Sequence, residues 1–390
     1  MTDAPITIIG TGLAGYTLAR EWRKLNADAP LRLFTTDAGH FYSKPVLSNA
    51  FAQNKIPEQL VISDVAVMAK QLNAEIIPHT EITRIDPESH HCYAGEVAYA
   101  YSQLVFACGA TQRVIPIAGD ASAVMRVNDL DSYQAFRARL TSCSAKRVTI
   151  LGAGLIGCEF ANDLALAGYA VSVLDVAPYP LSRLMPVEAG QLMQRALQTL
   201  PMTWHLQTHA QQITALEHGA YCVTLANGEV LDTDVILSAV GLQANTQVAA
   251  AAGLTVNQGI MTDAYLRTSA ADIYALGDCA AVQGVVLPYV MPLMQGARAL
   301  AKTLHGQATA VHYPAMPIAV KTPACPTVIA PVPPSQAQSG TWQITHDAPE
   351  STTLKALFHH QDGSLLGFVL MGKAVTEKQA LVAQLSSGLS

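Results

Sequence analysis

An α/β protein with two Rossmann-like dinucleotide-binding domains and a small α+β C-terminal domain is predicted by three features of this 390-residue chain. Two glycine fingerprints occur, Gly10-Thr11-Gly12-Leu13-Ala14-Gly15 and Gly152-Ala153-Gly154-Leu155-Ile156-Gly157. Each follows a short apolar, β-branched run (Ile6-Thr7-Ile8-Ile9, then Val148-Thr149-Ile150-Leu151) and opens a stretch of helical periodicity. Beyond a proline-rich tract the pattern changes to short alternating runs, which read as a separate mixed domain.

The strand–turn–helix setting gives each glycine a task. The first permits the tight turn, the second lets the backbone approach a pyrophosphate, and the third lets helix and strand pack closely. The phosphate then meets free N–H groups at the positive end of the helix dipole. One such motif is a weak signal. Two in context point to a protein that holds two dinucleotides and passes electrons between them.

The elements follow in order. A strand from Ile6 meets the first fingerprint, a helix runs through Leu18, Trp22 and Leu25, and a second strand covers 31–35. A later strand, 103–110, ends at a glycine-bearing turn, and the polar segment 128–140 reads as a connecting helix. Val148 starts the second unit, with a helix over 155–166 and a strand over 171–174. Asn227-Gly228 marks a hairpin turn. The apolar strand 235–240 closes at Gly241, and 272–278 forms another strand that returns to the opening sheet. The second unit is therefore read as an insertion in the first. Seven prolines between Pro314 and Pro334 open the C-terminal segment, where 354–359 and 365–370 alternate and a helix over 375–385 ends the fold.

Composition narrows the function. Half of the residues are apolar and 13% charged, which argues against disorder. A net charge of −6 disfavours nucleic acid as a partner. The charge-free stretch 279–297 holds Pro288 and Pro292, so a buried loop and helix start are expected there rather than a membrane span. The N-terminus has neither a basic region nor an apolar run, so no signal peptide is expected and the chain reads as soluble and cytoplasmic. The seven cysteines are scattered without a C-x-x-C pair, and are read as buried, reduced and free of metal. His90-His91 and His359-His360 lack metal-site spacing and are read as exposed loop residues.

Dinucleotide choice is made about 20 residues past a fingerprint, where an acid bonds the ribose. In the second unit that residue is Asp175, which repels a 2′-phosphate and favours NADH. In the first unit the place holds Thr35-Thr36, followed by Asp37, a weaker anchor.

These residues resemble the two-dinucleotide-domain flavoprotein reductases of the glutathione-reductase superfamily. Both fingerprints carry the likeness, with Cys108-Gly109-Ala110, Ala239-Val240-Gly241 and Tyr274-Ala275-Leu276-Gly277-Asp278. Three further segments, Tyr42-Ser43-Lys44-Pro45-Val46-Leu47-Ser48, Gly154 through Leu164, and Val320-Lys321-Thr322-Pro323, are most similar to bacterial rubredoxin reductases, with flavorubredoxin reductases next. The resemblance implies FAD on the first unit (1–113 and 238–320), NADH on the second (114–237) and an interface domain over 321–390. It implies cofactor contacts at Gly10, Thr11, Gly12, Leu13, Ala14, Gly15, Thr35, Thr36, Lys44, Pro45, Ile82, Gly109, Gly277, Asp278, Val290 and Lys321 for the flavin. For NADH it implies Gly152, Gly154, Gly157, Glu159, Asp175 and Gly241.

Two departures matter. Dithiol members of the superfamily carry a redox cysteine pair after the first helix, and residues 37–60 here contain no Cys. The flavin must then deliver electrons straight to an outside acceptor. Ferredoxin-reductase relatives have a Lys after the Pro-x-Leu-Ser run, where this chain has Asn49, so Lys44 and Lys321 are the candidate cations at the flavin ring. Glu159, placed on the first turn of the second fingerprint helix, is read as half of a Glu–Lys ion pair beside the flavin N5 edge. Glu159, Lys44 and Lys321 are thus the catalytic candidates.

NADH gives two electrons as hydride whereas an iron acceptor takes one at a time, and flavin can do both. The implied acceptor is rubredoxin, one iron on four thiolates, feeding an oxygenase such as an alkane hydroxylase. The implied chain is a monomer or weak dimer. A flavorubredoxin or ferredoxin reductase is the alternative, and an NADH-bound redox sensor the alternative of another class.

Overall fold

The computed structural model describes residues 4–143, 145–347 and 351–385, which fall into two compact units. The first unit comprises Met1–Lys44, Glu58–Thr111 and Leu242–Tyr313. At its centre lies a parallel sheet in the order Ile273–Ala275, Gln103–Phe106, Ile6–Ile9, Leu31–Phe34, Glu75–Ile77. A parallel sheet covered on both faces needs continuous apolar strands, and Ile8, Leu33, Leu104 and Val105 are all fully buried. The helix Leu13–Arg23 turns Tyr16, Leu18, Ala19 and Trp22 into this core and packs along the helix Val290–Leu304. Because Ile273–Ala275 pairs in parallel with Gln103–Phe106, the chain does return to its opening sheet.

The second unit comprises Pro45–Pro57, Gln112–Gly241 and Pro314–Ser390. Its parallel sheet runs Val124–Met125, Val235–Ser238, Arg147–Leu151, Ala170–Asp175, Met202–Leu206. A side sheet carries the hairpin at Asn227-Gly228, where Gly228 takes φ +87°. The C-terminal portion is an antiparallel sheet ordered Ile318–Val320, Thr327–Ala330, Leu365–Met371, Leu354–His360, Gly340–His346. Phe368 and Leu370 pack on one face of it with Leu381.

Several boundaries differ from the sequence reading for local reasons. The connecting helix is Leu130–Ser142 rather than 128–140, because Asp129 caps it by accepting from the Ser132 N–H at 2.7 Å. The strand expected over 103–110 stops at Phe106 and resumes as Ala110–Gln112, broken by Gly109 at φ +67°. The strand over 235–240 stops at Ser238, and that over 272–278 at Ala275. The closing helix expected over 375–385 is a 3-10 turn, Gly372–Glu377, followed by the short helix Lys378–Val382. There the Thr376 hydroxyl bonds the Lys373 carbonyl and competes with regular helix pairing. Of the histidine pairs, His90 lies in a turn as expected, whereas His91 begins the strand His91–Ala94 and His359 and His360 end Leu354–His360; all four are half-buried rather than exposed. Of the seven cysteines, Cys108, Cys143 and Cys222 are only partly buried.

Candidate functional site

The two fingerprints form turns of the same construction. Gly10 takes φ +115°, and a Cβ built on it would lie 2.3 Å from the Ala107 carbonyl oxygen. Gly15 would put its Cβ 1.9 Å from the Gly10 oxygen. In the second unit Gly152 (φ +107°) and Gly157 meet the same constraints, from Ala239 at 2.6 Å and Gly152 at 1.9 Å. These four glycines are demanded by the protein itself. The middle ones are not: a Cβ on Gly12 or Gly154 would meet no protein atom within 4 Å, and both residues are exposed. Each caps a helix without any side-chain partner for the first-turn N–H groups. An open cradle lined by unspent donors at a helix N-terminus suits a pyrophosphate, so the residues fit one dinucleotide per unit.

Asp175 ends the strand Ala170–Asp175. Its carboxylate accepts from the Ala153 N–H at 2.5 Å and from the Ala177 N–H at 2.8 Å. It therefore braces the fingerprint turn, a duty that spacing alone did not reveal, and keeps further lone pairs for a ribose. In the first unit Thr35 spends its proton on Asp37 at 2.7 Å, and Asp37 also accepts from the Gly39 N–H at 2.8 Å. Thr36 is the exposed residue at that strand end. Thr11 and Ala14 are buried in the turn, Leu13 partly so. Ile82 commits its side chain to the core. Val290, 36% exposed, begins its helix, and Gly277 (φ +78°) opens the turn Gly277–Cys279. Burial pushes the Asp278 carboxyl up, and the Lys44 charge opposes that shift. Gly241 takes φ +106° in the second unit, and Pro45 lies in the 3-10 turn Lys44–Asn49.

Glu159 is the fifth residue of the helix Leu155–Leu166, one turn deeper than expected, and 5% exposed. An acid so far from the N-terminus is not held there by the dipole, which acts within the first turn. It is held by a network instead. The Lys321 ammonium pairs with Glu159 Oε2, and the Lys321 backbone N–H reaches Oε1 at 3.1 Å. Ser48 donates its hydroxyl to Oε2 at 2.6 Å and accepts from the Lys321 ammonium at 3.0 Å. Two distant segments thus close on one carboxylate carried by a third. Asn162 and Asp163 sit three and four residues further, on the same helix face. Asn162 Oδ1 accepts from the Ala324 N–H at 3.2 Å, and Asp163 accepts from the Phe51 and Ala52 N–H groups at 2.8 and 3.1 Å. Ser48, Asn162 and Asp163 were not singled out from sequence, although Asn162 and Asp163, at this spacing from Glu159 on an otherwise apolar helix, are a readable signal.

Burial pushes the Asp163 carboxyl up to about 6, against the pull of its two backbone donors. Its folded value lies above that of the unfolded chain, so the folded state holds a proton that the unfolded state releases. The stabilising contribution is complete below about pH 4 and is lost as pH rises through about 6. Asp163→Asn is expected to flatten this part of the stability profile, measured as Tm between those pH values. An unchanged slope would assign the titration to another group.

The model of the pyridine nucleotide-disulphide oxidoreductase family matches residues 4–308, and that of a rubredoxin binding C-terminal domain matches 310–385. The chain is 47% identical over 383 residues to a rubredoxin-NAD(+) reductase of Acinetobacter baylyi, covering 97% of this chain and 96% of the relative. It is 44% identical to a rubredoxin-NAD(+) reductase of Alcanivorax borkumensis, covering 98% of each. Among solved structures, a ferredoxin reductase from Rhodopseudomonas palustris superposes with a TM-score of 0.87 at 26% identity, covering 98% of this chain and 95% of that one.

Proposed function

We propose that this chain, which belongs to the pyridine nucleotide-disulphide oxidoreductase family, carries electrons from NADH through FAD to rubredoxin. The observation that carries the reading is the pair of open glycine cradles followed by a C-terminal segment that matches a rubredoxin-binding domain. FAD, when bound, takes two electrons at once and yields them singly, which joins a hydride donor to a one-iron acceptor. The functional division is 1–113 and 238–320 for FAD, 114–237 for NADH and 321–390 for the acceptor.

Within it, Gly10 through Gly15 and Asp278 hold the flavin's phosphate and ribityl part. Gly152 through Gly157 hold the NADH pyrophosphate, and Asp175 takes the adenosine ribose. Glu159 and Lys321 form a fixed charge pair for the reacting rings, with Lys44 as a second cation. The Lys321 charge is oriented by Ser48, so its position does not depend on a mobile surface side chain. Among the described residues no helix is long and apolar enough to cross a membrane. The chain is proposed to work in the cytoplasm as a monomer or weak dimer, upstream of an oxygenase that draws electrons from rubredoxin.

Asp175→Ala is expected to weaken use of NADH by about 10- to 100-fold, the worth of a charged hydrogen bond of roughly 1.5–3 kcal/mol. NADPH use should fall less, because it loses only the brace on the fingerprint turn that both donors share, so the preference narrows. Steady-state kcat/KM for both donors measures this. A wild type that uses both equally removes Asp175 as the reader.

The acceptor is tested by salt. The cations expected to border the flavin or the C-terminal domain are Lys44, Arg298, Lys302, Lys321, Lys373 and Lys378; Lys321 is engaged with Glu159 and Lys44 and Lys378 are half-buried, whereas Arg298, Lys302 and Lys373 are exposed. Arg298 and Lys302 lie one turn apart on the helix Val290–Leu304. Surface steering is screened beyond about 8 Å at physiological ionic strength and acts on the association rate. Reduction of rubredoxin should fall steeply with salt while reduction of ferricyanide holds, and Lys302→Glu should raise the KM for rubredoxin alone. Rubredoxin reduction that is indifferent to salt and no faster than that of ferredoxin or oxygen would end the assignment.

A further inference from the structure

The electron-transfer reading makes no use of two cysteines that meet in the first unit. Cys108 follows the strand Gln103–Phe106, and Cys279 closes the turn Gly277–Cys279. Parallel pairing of Gln103–Phe106 with Ile273–Ala275 brings both to the same end of the sheet. Cys279 Sγ donates towards the Phe106 and Leu276 carbonyls at 3.5 and 3.3 Å. Cys108 Sγ lies 3.3 Å from the Asn245 carbonyl, and the Asn245 side chain returns an N–H to the Cys108 carbonyl at 2.8 Å. The Cys279 Sγ contact to the Phe106 carbonyl sets that thiol beside the strand end that Cys108 follows by two residues. They are 171 residues apart in sequence (279 − 108), so spacing gave no hint of the contact.

We propose that Cys108 and Cys279 are a modification site, forming a reversible disulfide when the protein meets a peroxide. The half-buried Cys108 is the thiol that a small oxidant reaches. Its sulfur attacks one peroxide oxygen, the O–O bond breaks, and a sulfenic acid forms as the first water leaves. The Cys279 sulfur then attacks that sulfur. The S–S bond forms, the S–O bond breaks, and the departing hydroxide takes the Cys279 proton as a second water. Two thiols and one hydrogen peroxide give one disulfide and two waters, the two electrons passing from sulfur to peroxide. The neighbouring Cys279 thiol and burial push the Cys108 thiol up, so little of it is thiolate and the first step is slow. Cys108 precedes Gly109 and Cys279 follows Asp278, two residues assigned above to the flavin. That link to the flavin rests on the proposed function; the thiol chemistry does not.

The test treats the full-length protein, with and without FAD, with hydrogen peroxide and separately with diamide. The protein is then digested without reductant. A peptide joining Cys108 to Cys279, undone by dithiothreitol and accompanied by loss of two of the seven titratable thiols, is expected. Cys279→Ser should abolish the linkage and leave a dimedone-reactive Cys108, and Cys108→Ser should abolish both. If Cys279→Ser fails to fold, Cys108→Ser and the wild-type map decide. No link in either form of the protein, over-oxidation of Cys108 without one, or a link through Cys158 or Cys325 instead would overturn the proposal. A chain that takes up no FAD would defeat the electron-transfer reading while leaving the peptide map fully readable.

Discussion

A Gly12→Val variant is expected to fold, remain soluble and lose its flavin. Gly12 has an ordinary extended backbone at φ −63° and ψ −174°, and open space where a side chain would grow. Stability should change little. The added isopropyl group would instead stand where the pyrophosphate must approach the first-turn N–H groups, and several charge-assisted hydrogen bonds would go at once. Gly10→Val serves as the contrast, because its backbone is left-handed and its Cβ would strike the Ala107 carbonyl. That variant should fail to fold at all. Absorbance of retained flavin set against circular dichroism separates the two outcomes. A yellow Gly12→Val protein would show that the first fingerprint does not carry the dinucleotide.

Removing the Lys321 charge is expected to have the next largest effect. Lys321→Met leaves the Glu159 carboxylate buried without its counter-charge, and breaking such a pair costs about 3–5 kcal/mol. The Lys321 side chain is 30% exposed, so the lower end of that range applies. Glu159→Gln combined with Lys321→Met should recover most of the loss, because neither partner then remains as an unpaired charge. Flavin reduction by NADH should stay slow in the double variant, since stability returns while the charge proposed for the reacting rings does not. Thermal melts read the first quantity and anaerobic stopped-flow the second. A double variant with wild-type reduction kinetics would confine the pair to a structural role.

Motifs that depend on local geometry were legible in the sequence. The fingerprints needed only a strand, a turn and a helix in succession, and the helix Leu155–Leu166 begins and ends where its periodicity says. The returning strand was readable because Tyr274 through Asp278 forms a recognisable unit. The Glu159 network was legible only in outline. A lysine partner for Glu159 was expected, yet Ser48 comes from a 3-10 turn far upstream and Lys321 from the loop after a short strand. Their convergence is tertiary, and no periodicity encodes it. The closing helix was misjudged because Thr376 bonds backward to the chain, which a hydrophobic pattern does not report. The cysteines were read as unrelated for the same reason as the Ser48 contact: a parallel sheet brings strand ends together regardless of their distance along the chain.

The outer strand Ile273–Ala275 has a consequence for biosynthesis. Chain order places it after the whole of Gln112–Gly241, so a ribosome delivers four of the five strands of the first sheet well before the last. During that interval the Gln103–Phe106 strand has a bare edge of N–H and C=O groups, a template for pairing with other nascent chains. Ending the gene near residue 113 would therefore not yield a smaller working module but a sheet lacking one border. Circular permutation that starts the chain just after Gly241 would bring the outer strand out first and shorten the exposure. Yield of soluble protein at high expression temperature would register the difference.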